Sequence, residues 1–336
     1  MEYKRLGNSG LLVSRFCLGG MTFGTSAIGS VDSSTAERLV DMSLDAGINF
    51  VDTANMYKKG VSEEMLGKAL EGKRNKVVLA TKVRAPMGEG PNEAGLSRKH
   101  VMDEVENSLR RLGTDYIDLY LLHWWDEMTP LEETLETMSD LVRAGKIRYI
   151  GASNFFAWQV VKALGLSSQH GWPSLKAIQM HYSLLCRDIE EEIIPMIRTE
   201  KVGLTVWSPL SGGYLSGKYQ NTPDVRAPQG TRFGDRGDWF PYFNRELGDE
   251  VTKTLQTMAA DYRATPAQLA LAWLLHKSDV TSVLIGARKP EQLQENLKAE
   301  QILLHDADLA WLDEQTKPPQ RYPGWMANRV TFSRSL

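Results

Sequence analysis

Short apolar runs alternate with longer amphipathic stretches along most of the 336-residue chain. Each run has the length and aliphatic content of one strand, and each intervening stretch repeats its apolar residues with the period of a helix. Parallel strands need a crossover segment between them, which the helical stretches supply. Eight strands alternating with helices favour a closed barrel over an open sheet, so the predicted fold class is α/β, a (β/α)8 TIM barrel.

The predicted elements follow one another closely. Strands are predicted over residues 16–19, 49–52, 77–81, 117–122, 147–151, 175–180, 203–207 and 281–285. Helices are predicted over residues 33–45, 62–71, 98–112, 131–144, 155–166, 189–200, 246–262, 266–277 and 290–298. Ser33 and Ser34 are the expected cap of the first helix. No linker divides these units, so residues 1–336 are predicted to form a single domain.

Three further segments complete the prediction. A β-hairpin over residues 3–15 precedes the first barrel strand, and we expect it to close the bottom of the barrel. Two long loops, residues 83–97 and 211–245, follow the C-terminal ends of predicted strands. Loops of this length in a compact domain are usually binding lids or disordered, and the aromatic residues of the second loop favour a lid.

Composition excludes several classes of protein. The chain carries 39 Lys and Arg against 42 Asp and Glu, and the resulting net charge of −3 gives no basic field for nucleic acid or an anionic membrane. No apolar run approaches the roughly 20 residues needed to span a bilayer, and the first residues lack an apolar signal core, so a cytoplasmic protein is expected. Cys17 and Cys186 lack the spacing of a zinc site, and no metal is predicted.

Four chemically active side chains, Asp52, Tyr57, Lys82 and His123, lie at or just past the ends of three successive predicted strands. In a barrel, the C-terminal strand ends form the rim at which active sites lie. A cation beside a phenol favours its ionised form, and a carboxylate favours a charged ammonium. We therefore predict that Asp52 holds Lys82 charged and that Lys82 eases proton release from Tyr57. His123 is expected to orient a substrate oxygen.

Each of these residues also has a purely structural interpretation. An Asp–Lys pair is commonly a salt bridge, and a lone tyrosine commonly packs in a core. Their joint placement at successive strand ends favours catalysis instead. Met56, Trp124 and Trp125 stand close to the four residues in the sequence, which predicts an apolar, aromatic-lined substrate pocket.

The order of these motifs resembles that of the aldo-keto reductase family, in its bacterial and potassium-channel β-subunit-like branch. The resemblance runs from about residue 6 to about residue 296 and implies a (β/α)8 barrel, a nicotinamide cofactor and reversible carbonyl reduction. It is carried by Asp52-Thr53-Ala54-Asn55-Met56-Tyr57, Thr81-Lys82, Leu122-His123, Gly151-Ala152-Ser153-Asn154-Phe155, Gln179, Trp207-Ser208-Pro209-Leu210 and Ile285-Gly286-Ala287-Arg288.

The residues themselves suggest where a dinucleotide would bind. No G-x-G-x-x-G joins a strand to a helix near the N-terminus, which argues against a Rossmann site. The glycine-rich segment 211–219 is close to a phosphate-binding loop, but Tyr219 stands where magnesium would need Ser or Thr, so an ATP site is disfavoured. Such a turn, with Lys218, still suits a pyrophosphate. Residues 286–288 lead into a helix N-terminus, a second position that favours an anion.

The resemblance assigns further residues to the cofactor. It implies that Ser153, Asn154 and Gln179 bind the nicotinamide carboxamide, and that Arg232 contacts the phosphates. The implied pyrophosphate-lining residues are Trp207, Ser208, Pro209, Leu210, Ser211, Gly212 and Lys218. The implied contacts at the adenosine end are Gly286, Arg288, Gln292, Glu295 and Asn296. Better-known reductases carry a basic residue where Gln292 stands, but Arg288 can pair with a 2′-phosphate, so NADPH (NADP+) is the expected cofactor.

Three functions remain open at this point. An NADPH-dependent reductase that converts aldehydes or ketones to alcohols is favoured, with a small-molecule carbonyl compound as its substrate. A nicotinamide-binding regulatory subunit with little turnover is the alternative that the resemblance to channel β-subunits suggests. A sugar-converting barrel without a cofactor is the third. The sequence leaves the physiological substrate and the oligomeric state open.

Overall fold

The computed structural model describes residues 1–24, 31–219 and 243–327. Its strands are β1 Tyr3–Arg5, β2 Leu12–Ser14, β3 Phe16–Gly19, β4 Phe50–Asp52, β5 Val78–Val83, β6 Ile117–Leu122, β7 Ile147–Ser153, β8 Leu175–His181, β9 Gly203–Trp207 and β10 Val280–Ile285. Its α-helices are α1 Ser33–Asp45, α2 Val61–Ala69, α3 Arg98–Leu112, α4 Leu131–Arg143, α5 Ala157–His170, α6 Ile193–Glu200, α7 Arg245–Asp261, α8 Pro266–His276, α9 Pro290–Leu297, α10 Asp306–Gln315 and α11 Gly324–Ala327.

Eight parallel strands close into a barrel in the order β10-β3-β4-β5-β6-β7-β8-β9, which confirms the predicted (β/α)8 fold. Strands β3 to β9 pair in chain order, and β10 closes the ring between β9 and β3. Because every barrel strand runs in the same direction, the C-terminal ends of all eight lie on one face. Asp52, Tyr57, Lys82 and His123 all lie on this face.

The hairpin of β1 and β2 closes the opposite end of the barrel, as predicted. Leu6 and Val13 are fully buried and pack among side chains inside the barrel, including Phe50 and Leu119. Gly7 adopts a left-handed backbone with φ +57°, and a Cβ atom there would lie only 2.5 Å from the carbonyl oxygen of Lys176 in β8. Only glycine allows this close approach of hairpin and barrel.

Helix ends follow the sequence signals closely where a cap is present. Helix α3 has the predicted bounds because the Ser97 hydroxyl accepts a hydrogen bond from the His100 N–H and Gly113 ends the helix with φ +62°. Helix α8 begins with a capping box between Thr265 and Gln268. In α1 the prediction was wrong: Asp32, not Ser33 or Ser34, caps the helix by accepting from the Thr35 N–H.

Other differences concern element bounds. Strand β5 extends to Val83, so Lys82 lies inside the strand rather than after it. The predicted helix over residues 189–200 is a short 3-10 turn, Asp188–Glu190, followed by α6. Helices α10 and α11 were not predicted. None of the helices in the described ranges is both long and apolar enough to cross a membrane. Of the predicted lid over residues 211–245, residues 220–242, including Trp239 and Phe240, lie outside the described part.

Candidate active site

The centre of the C-terminal face is a buried ion pair between β4 and β5. Lys82 is fully buried, and its Nζ lies 2.5 Å from Oδ1 of Asp52 and donates to the carbonyl oxygen of Thr53 at 2.7 Å. Burial opposes the charged form of Lys82, but Asp52 and then Tyr57 outweigh it, so the pKa of Lys82 is raised above its ordinary value. Lys82 is therefore an ammonium ion inside the protein at neutral pH.

Tyr57 approaches this ammonium from the turn that follows β4. The Nζ of Lys82 lies 3.4 Å from the Tyr57 hydroxyl and 5.0 Å from the centre of its ring. The Tyr57 side chain is partly exposed, whereas Lys82 is fully buried. The phenol therefore stands between a buried cation and the open side of the barrel rim. Such an arrangement can deliver a proton to a bound molecule and hold the resulting phenolate beside a positive charge.

His123 follows β6 directly and lies beside Tyr57. The two rings meet edge to face with centroids 5.9 Å apart, and Trp124 stacks on His123 at 3.8 Å. Burial, and after it the charges of Lys82 and Arg84, hold the pKa of His123 well below its ordinary value. The imidazole is therefore neutral at physiological pH, and its buried Nδ1 has no hydrogen-bond partner among the described residues. A neutral ring in this position can bind a substrate oxygen without adding charge.

Three polar residues at the ends of β7 and β8 connect to this centre. The Ser153 hydroxyl donates to the carbonyl oxygen of Gln179 at 2.8 Å, and the Gln179 side chain donates to Oδ2 of Asp52 at 2.9 Å. The Asn154 amide donates to the carbonyl oxygen of His123 at 3.1 Å. Asn154 also has φ +58°, a left-handed conformation that Asn tolerates better than most residues. The predicted carboxamide-binding residues thus adjoin the four predicted catalytic residues.

The segment after β9 forms a tight turn on the same face. Trp207 stacks on His181 at 4.3 Å and donates from its indole nitrogen to Oδ1 of Asn154. Ser208, Ser211, Gly212 and Gly213 have left-handed φ values. The Ser208 hydroxyl accepts from the Gly212 N–H at 3.0 Å, and Ser211 pairs with Ser183. Pro209 is buried and Leu210 half-buried in the same turn.

This turn contains the residues that the sequence predicts for the anionic part of a dinucleotide. The Nζ of Lys218 lies so close to Gly213 that a Cβ atom on the glycine would approach it to 2.5 Å. The backbone N–H groups of Ser211, Gly212 and Gly213 are already bonded inside the turn, to the carbonyl oxygens of Ser208 and Leu210 and to the Ser208 hydroxyl. The ammonium of Lys218 is therefore the group in this turn that would bind a pyrophosphate. Arg232, the other predicted phosphate contact, lies outside the described residues.

The predicted adenosine-end residues lie together at the end of β10 and along α9. Gly286 is exposed, and apart from its chain neighbours no atom of the described residues lies within 4 Å of where its Cβ would be; Arg288 follows two residues later. The Gln292 side chain accepts a hydrogen bond from the Arg288 N–H at 2.8 Å. The Glu295 carboxylate accepts from Gln268 and Lys298, which fixes it against α8. Asn296 is half-buried beside it.

Sequence reasoning missed a buried charged network behind β5. The Glu63 carboxylate is fully buried and accepts from the Thr81 hydroxyl at 2.5 Å and from Nε of Arg111 at 2.6 Å. Glu104 accepts from Arg111 and, at 2.8 Å, from the side chain of Asn55. Burial raises the pKa of Glu63 above its ordinary value despite Arg111. Thr81 precedes Lys82 and Asn55 lies two residues before Tyr57, so this network supports both.

Sequence reasoning also missed Arg84, which directly follows β5 and acts on His123. A motif search has no means of finding it, because a lone arginine in a loop carries no pattern. Within the described ranges, no group of three or more His, Cys, Asp or Glu side chains is placed to hold a metal ion.

Comparison with known proteins identifies the family. The Aldo/keto reductase family pattern matches residues 15–317. The uncharacterized oxidoreductase YrpG of Bacillus subtilis is 40% identical over 325 residues, covering 94% of this chain and 95% of that protein. A probable voltage-gated potassium channel subunit beta of Oryza sativa is 37% identical, covering 89% and 91% of the two chains. The aldo-keto reductase AMT2 of Alternaria alternata is 35% identical, covering 95% and 93%.

The match to the family spans nearly the whole barrel, and each of these relatives is covered over most of its length. The motifs and the closed barrel agree with it. The chain belongs to the aldo/keto reductase family, and it is an oxidoreductase.

Proposed function

We propose that this protein is an NADPH-dependent reductase that converts aldehydes or ketones to alcohols, with residues 1–336 acting as one domain. Members of the family use nicotinamide cofactors and act on small carbonyl compounds. The nicotinamide, when bound, supplies the hydride, and the protein supplies position, a proton and electrostatics.

The observation that carries the proposal is the buried, charged Lys82 beside the Tyr57 hydroxyl. Reduction leaves negative charge on the former carbonyl oxygen, which must receive a proton. Tyr57 is assigned as the donor, because its hydroxyl is the group at the open side of the ion pair. The remaining phenolate is stabilised by Lys82, and Asp52 keeps that lysine charged through the cycle.

His123 is assigned to positioning the carbonyl oxygen. Its ring adjoins the Tyr57 ring edge to face, and it is neutral at physiological pH. A neutral imidazole that donates to the same oxygen as Tyr57 would fix the oxygen in line with the proton donor without competing for the proton.

The cofactor is assigned to the side of the barrel formed by β7 to β10. Ser153, Asn154 and Gln179 are proposed to bind the carboxamide, and the turn after β9 the pyrophosphate. Arg288 supports NADPH over NADH, since it precedes the N-terminus of α9, where backbone dipoles and a guanidinium both favour a 2′-phosphate.

A regulatory nicotinamide-binding subunit is the second candidate. It is suggested by the relatives named as probable potassium channel subunits beta. The complete set of Asp52, Tyr57, Lys82 and His123 in contact geometry favours turnover instead.

The test measures binding and turnover separately. Cofactor binding is followed by quenching of tryptophan fluorescence with NADPH and with NADH. Turnover is followed by loss of NADPH absorbance with a panel of aromatic and aliphatic aldehydes and ketones. We expect tight NADPH binding and aldehyde-dependent oxidation. Binding without turnover on the whole panel would favour the regulatory subunit, and absence of binding would contradict both candidates.

A further inference from the structure

Arg84 has an unusual backbone for its position at the rim. It follows β5 two residues after Lys82, and its φ is 140°. A residue with a side chain rarely adopts this conformation, and it persists only where surrounding contacts fix it. Here the Gly95 N–H donates to the Arg84 carbonyl oxygen at 2.8 Å, and the following Leu96 N–H donates to Oδ2 of Asp126 at 2.7 Å. Residues held in such conformations occur preferentially at binding and active sites.

The guanidinium of Arg84 lacks the partners that a partly buried arginine normally has. Its Nε is buried and makes no hydrogen bond, and in residues 1–24, 31–219 and 243–327 no carboxylate lies within 4.0 Å of it. By contrast, Arg187 donates to both oxygens of Glu190. A buried donor left unpaired is costly, so such a group usually serves a ligand or a bound water.

Asp126 and Arg84 interact only at longer range: the charge of Arg84 is the last of the causes that lower the pKa of Asp126, and no ion pair within 4.0 Å joins the two in the described residues. Asp126 accepts hydrogen bonds from the backbone N–H groups of Leu96 and Met128 and from the Thr129 hydroxyl, which occupy both of its oxygens. The two oxygens of the Asp52 carboxylate likewise accept hydrogen bonds from Lys82 and Gln179. Arg84 is nevertheless close enough to the candidate active site to act on it electrostatically. Its charge contributes, after burial and Lys82, to the lowered pKa of His123.

The position of Arg84 separates it from the proposed cofactor phosphates. In the closed barrel, β5 stands four strands from β9 in either direction, so Arg84 lies across the barrel from the turn that contains Ser208 and Gly212. An anion at Arg84 would therefore lie on the substrate's side of the site, beside His123 and the stacked Trp124.

We propose that Arg84 binds an anionic group, a carboxylate or a phosphate, of the carbonyl substrate, so that the enzyme prefers anionic aldehydes or ketones over neutral ones. The guanidinium presents paired N–H donors that match either group. This inference rests on the proposed function, because the substrate carbonyl must lie at Tyr57 and His123.

The test compares substrates that differ in charge but little in shape. The kcat/KM values of para- and meta-carboxybenzaldehyde are compared with those of their neutral methyl esters, and para-formylphenyl phosphate is compared with its neutral dimethyl ester. The variants are Arg84→Gln, which removes the charge, and Arg84→Gly, which also suits φ 140°. Lys99→Gln is the matched control, since it removes one positive charge from an exposed side chain of α3. Binding of benzoate, which has no aldehyde or ketone group to reduce, is measured by tryptophan fluorescence with NADPH present and absent.

We expect the wild type to prefer an anionic aldehyde over its neutral counterpart, and both Arg84 variants to lower that ratio by about ten- to a hundredfold, the range of one charge-assisted contact. Benzoate binding to the two Arg84 variants should weaken by a similar factor. Lys99→Gln should leave both the kcat/KM ratio and benzoate binding unchanged. A preference for the carboxylate series or the phosphate identifies which anion is bound. An unchanged ratio together with unchanged benzoate binding in both Arg84 variants would overturn the inference. If no aldehyde is reduced, the proposed function fails, and benzoate binding alone decides the role of Arg84.

Discussion

Replacing Asp52 with Asn tests whether the charge at the centre of the site is held by this one carboxylate. The side chain of Asp52 receives two donors, Nζ of Lys82 at 2.5 Å and Nε2 of Gln179 at 2.9 Å. An Asn side chain has nearly the same shape but offers one acceptor oxygen and no charge. The fully buried Lys82 would then keep the Thr53 carbonyl oxygen but lose its counterion.

The expected magnitude follows from the burial of the pair. Removing one partner of a buried ion pair costs about 3 to 5 kcal/mol, because the other charge is left desolvated. Lys82 has no solvent exposure and so falls in that class. We expect Asp52→Asn to lower the free energy of unfolding by about this amount at pH 7. The matched exposed change Asp103→Asn, which breaks a solvated pair with Lys99, should have little effect.

The pH dependence gives a sharper criterion than the magnitude. In the wild type the pKa of folded Lys82 is raised, so its contribution to stability is fully present below the ordinary lysine pKa and is lost only as pH rises through the folded value. In Asp52→Asn, burial is the dominant effect on Lys82. The pKa of Lys82 in the folded variant therefore falls below its pKa in the unfolded chain. The unfolded variant then binds more protons, and its stability rises with pH by up to about 1.4 kcal/mol per unit.

The assay is urea unfolding of both proteins, followed by tryptophan fluorescence at intervals from pH 7 to pH 10. The stability difference between wild type and Asp52→Asn should narrow steadily as pH rises. A difference that is small at pH 7, or that stays constant across this range, would refute the argument that Asp52 holds Lys82 charged.

Three further predictions concern the barrel bottom, the buried network and the cofactor. Gly7→Ala should destabilise the protein by about 1 to 3 kcal/mol in urea unfolding, because a Cβ there meets the backbone of β8 and φ is +57°; an unchanged midpoint would contradict the close packing of the hairpin. Arg111→Met should lower the free energy of unfolding by about 3 kcal/mol, since it leaves Glu63 and Glu104 buried without their cation. A variant as stable as the wild type would show that the two carboxyl groups are uncharged when Arg111 is absent. Arg288→Ala should weaken the binding of NADPH about ten- to a hundredfold in fluorescence titrations and leave the binding of NADH nearly unchanged. Equal losses of affinity for the two cofactors would assign Arg288 to the shared pyrophosphate or to the fold.

Features set by local sequence were predicted well. Helix α3 was placed correctly because its cap, Ser97, and its stop, Gly113, are both adjacent to it. The four rim residues could be placed on one face because in a parallel barrel the C-terminal ends of successive strands, and the turns that follow them, lie on the same side. The Lys82–Asp52 contact was predicted on the same ground and is seen in the structure.

Features set by contacts between distant parts of the chain were not predicted. The Glu63–Arg111 pair joins α2 to α3 across 48 positions, and nothing in either helix alone distinguishes these residues from surface charges. The backbone conformation of Arg84 depends on hydrogen bonds made by residues 95 and 96. Asp32 rather than Ser33 caps α1, since neighbouring Asp and Ser residues compete for the same role and only the geometry decides.

Single-turnover kinetics of Tyr57→Phe test most directly whether Tyr57 gives the proton to the carbonyl oxygen. The variant loaded with NADPH is mixed rapidly with excess aldehyde, and oxidation is followed by absorbance, while fluorescence titration reports cofactor affinity. We expect the affinity for NADPH to be retained and the rate of the chemical step to fall by a factor on the order of 10² or more, as for loss of a general acid. A chemical step near the wild-type rate, with NADPH bound normally, would contradict the account.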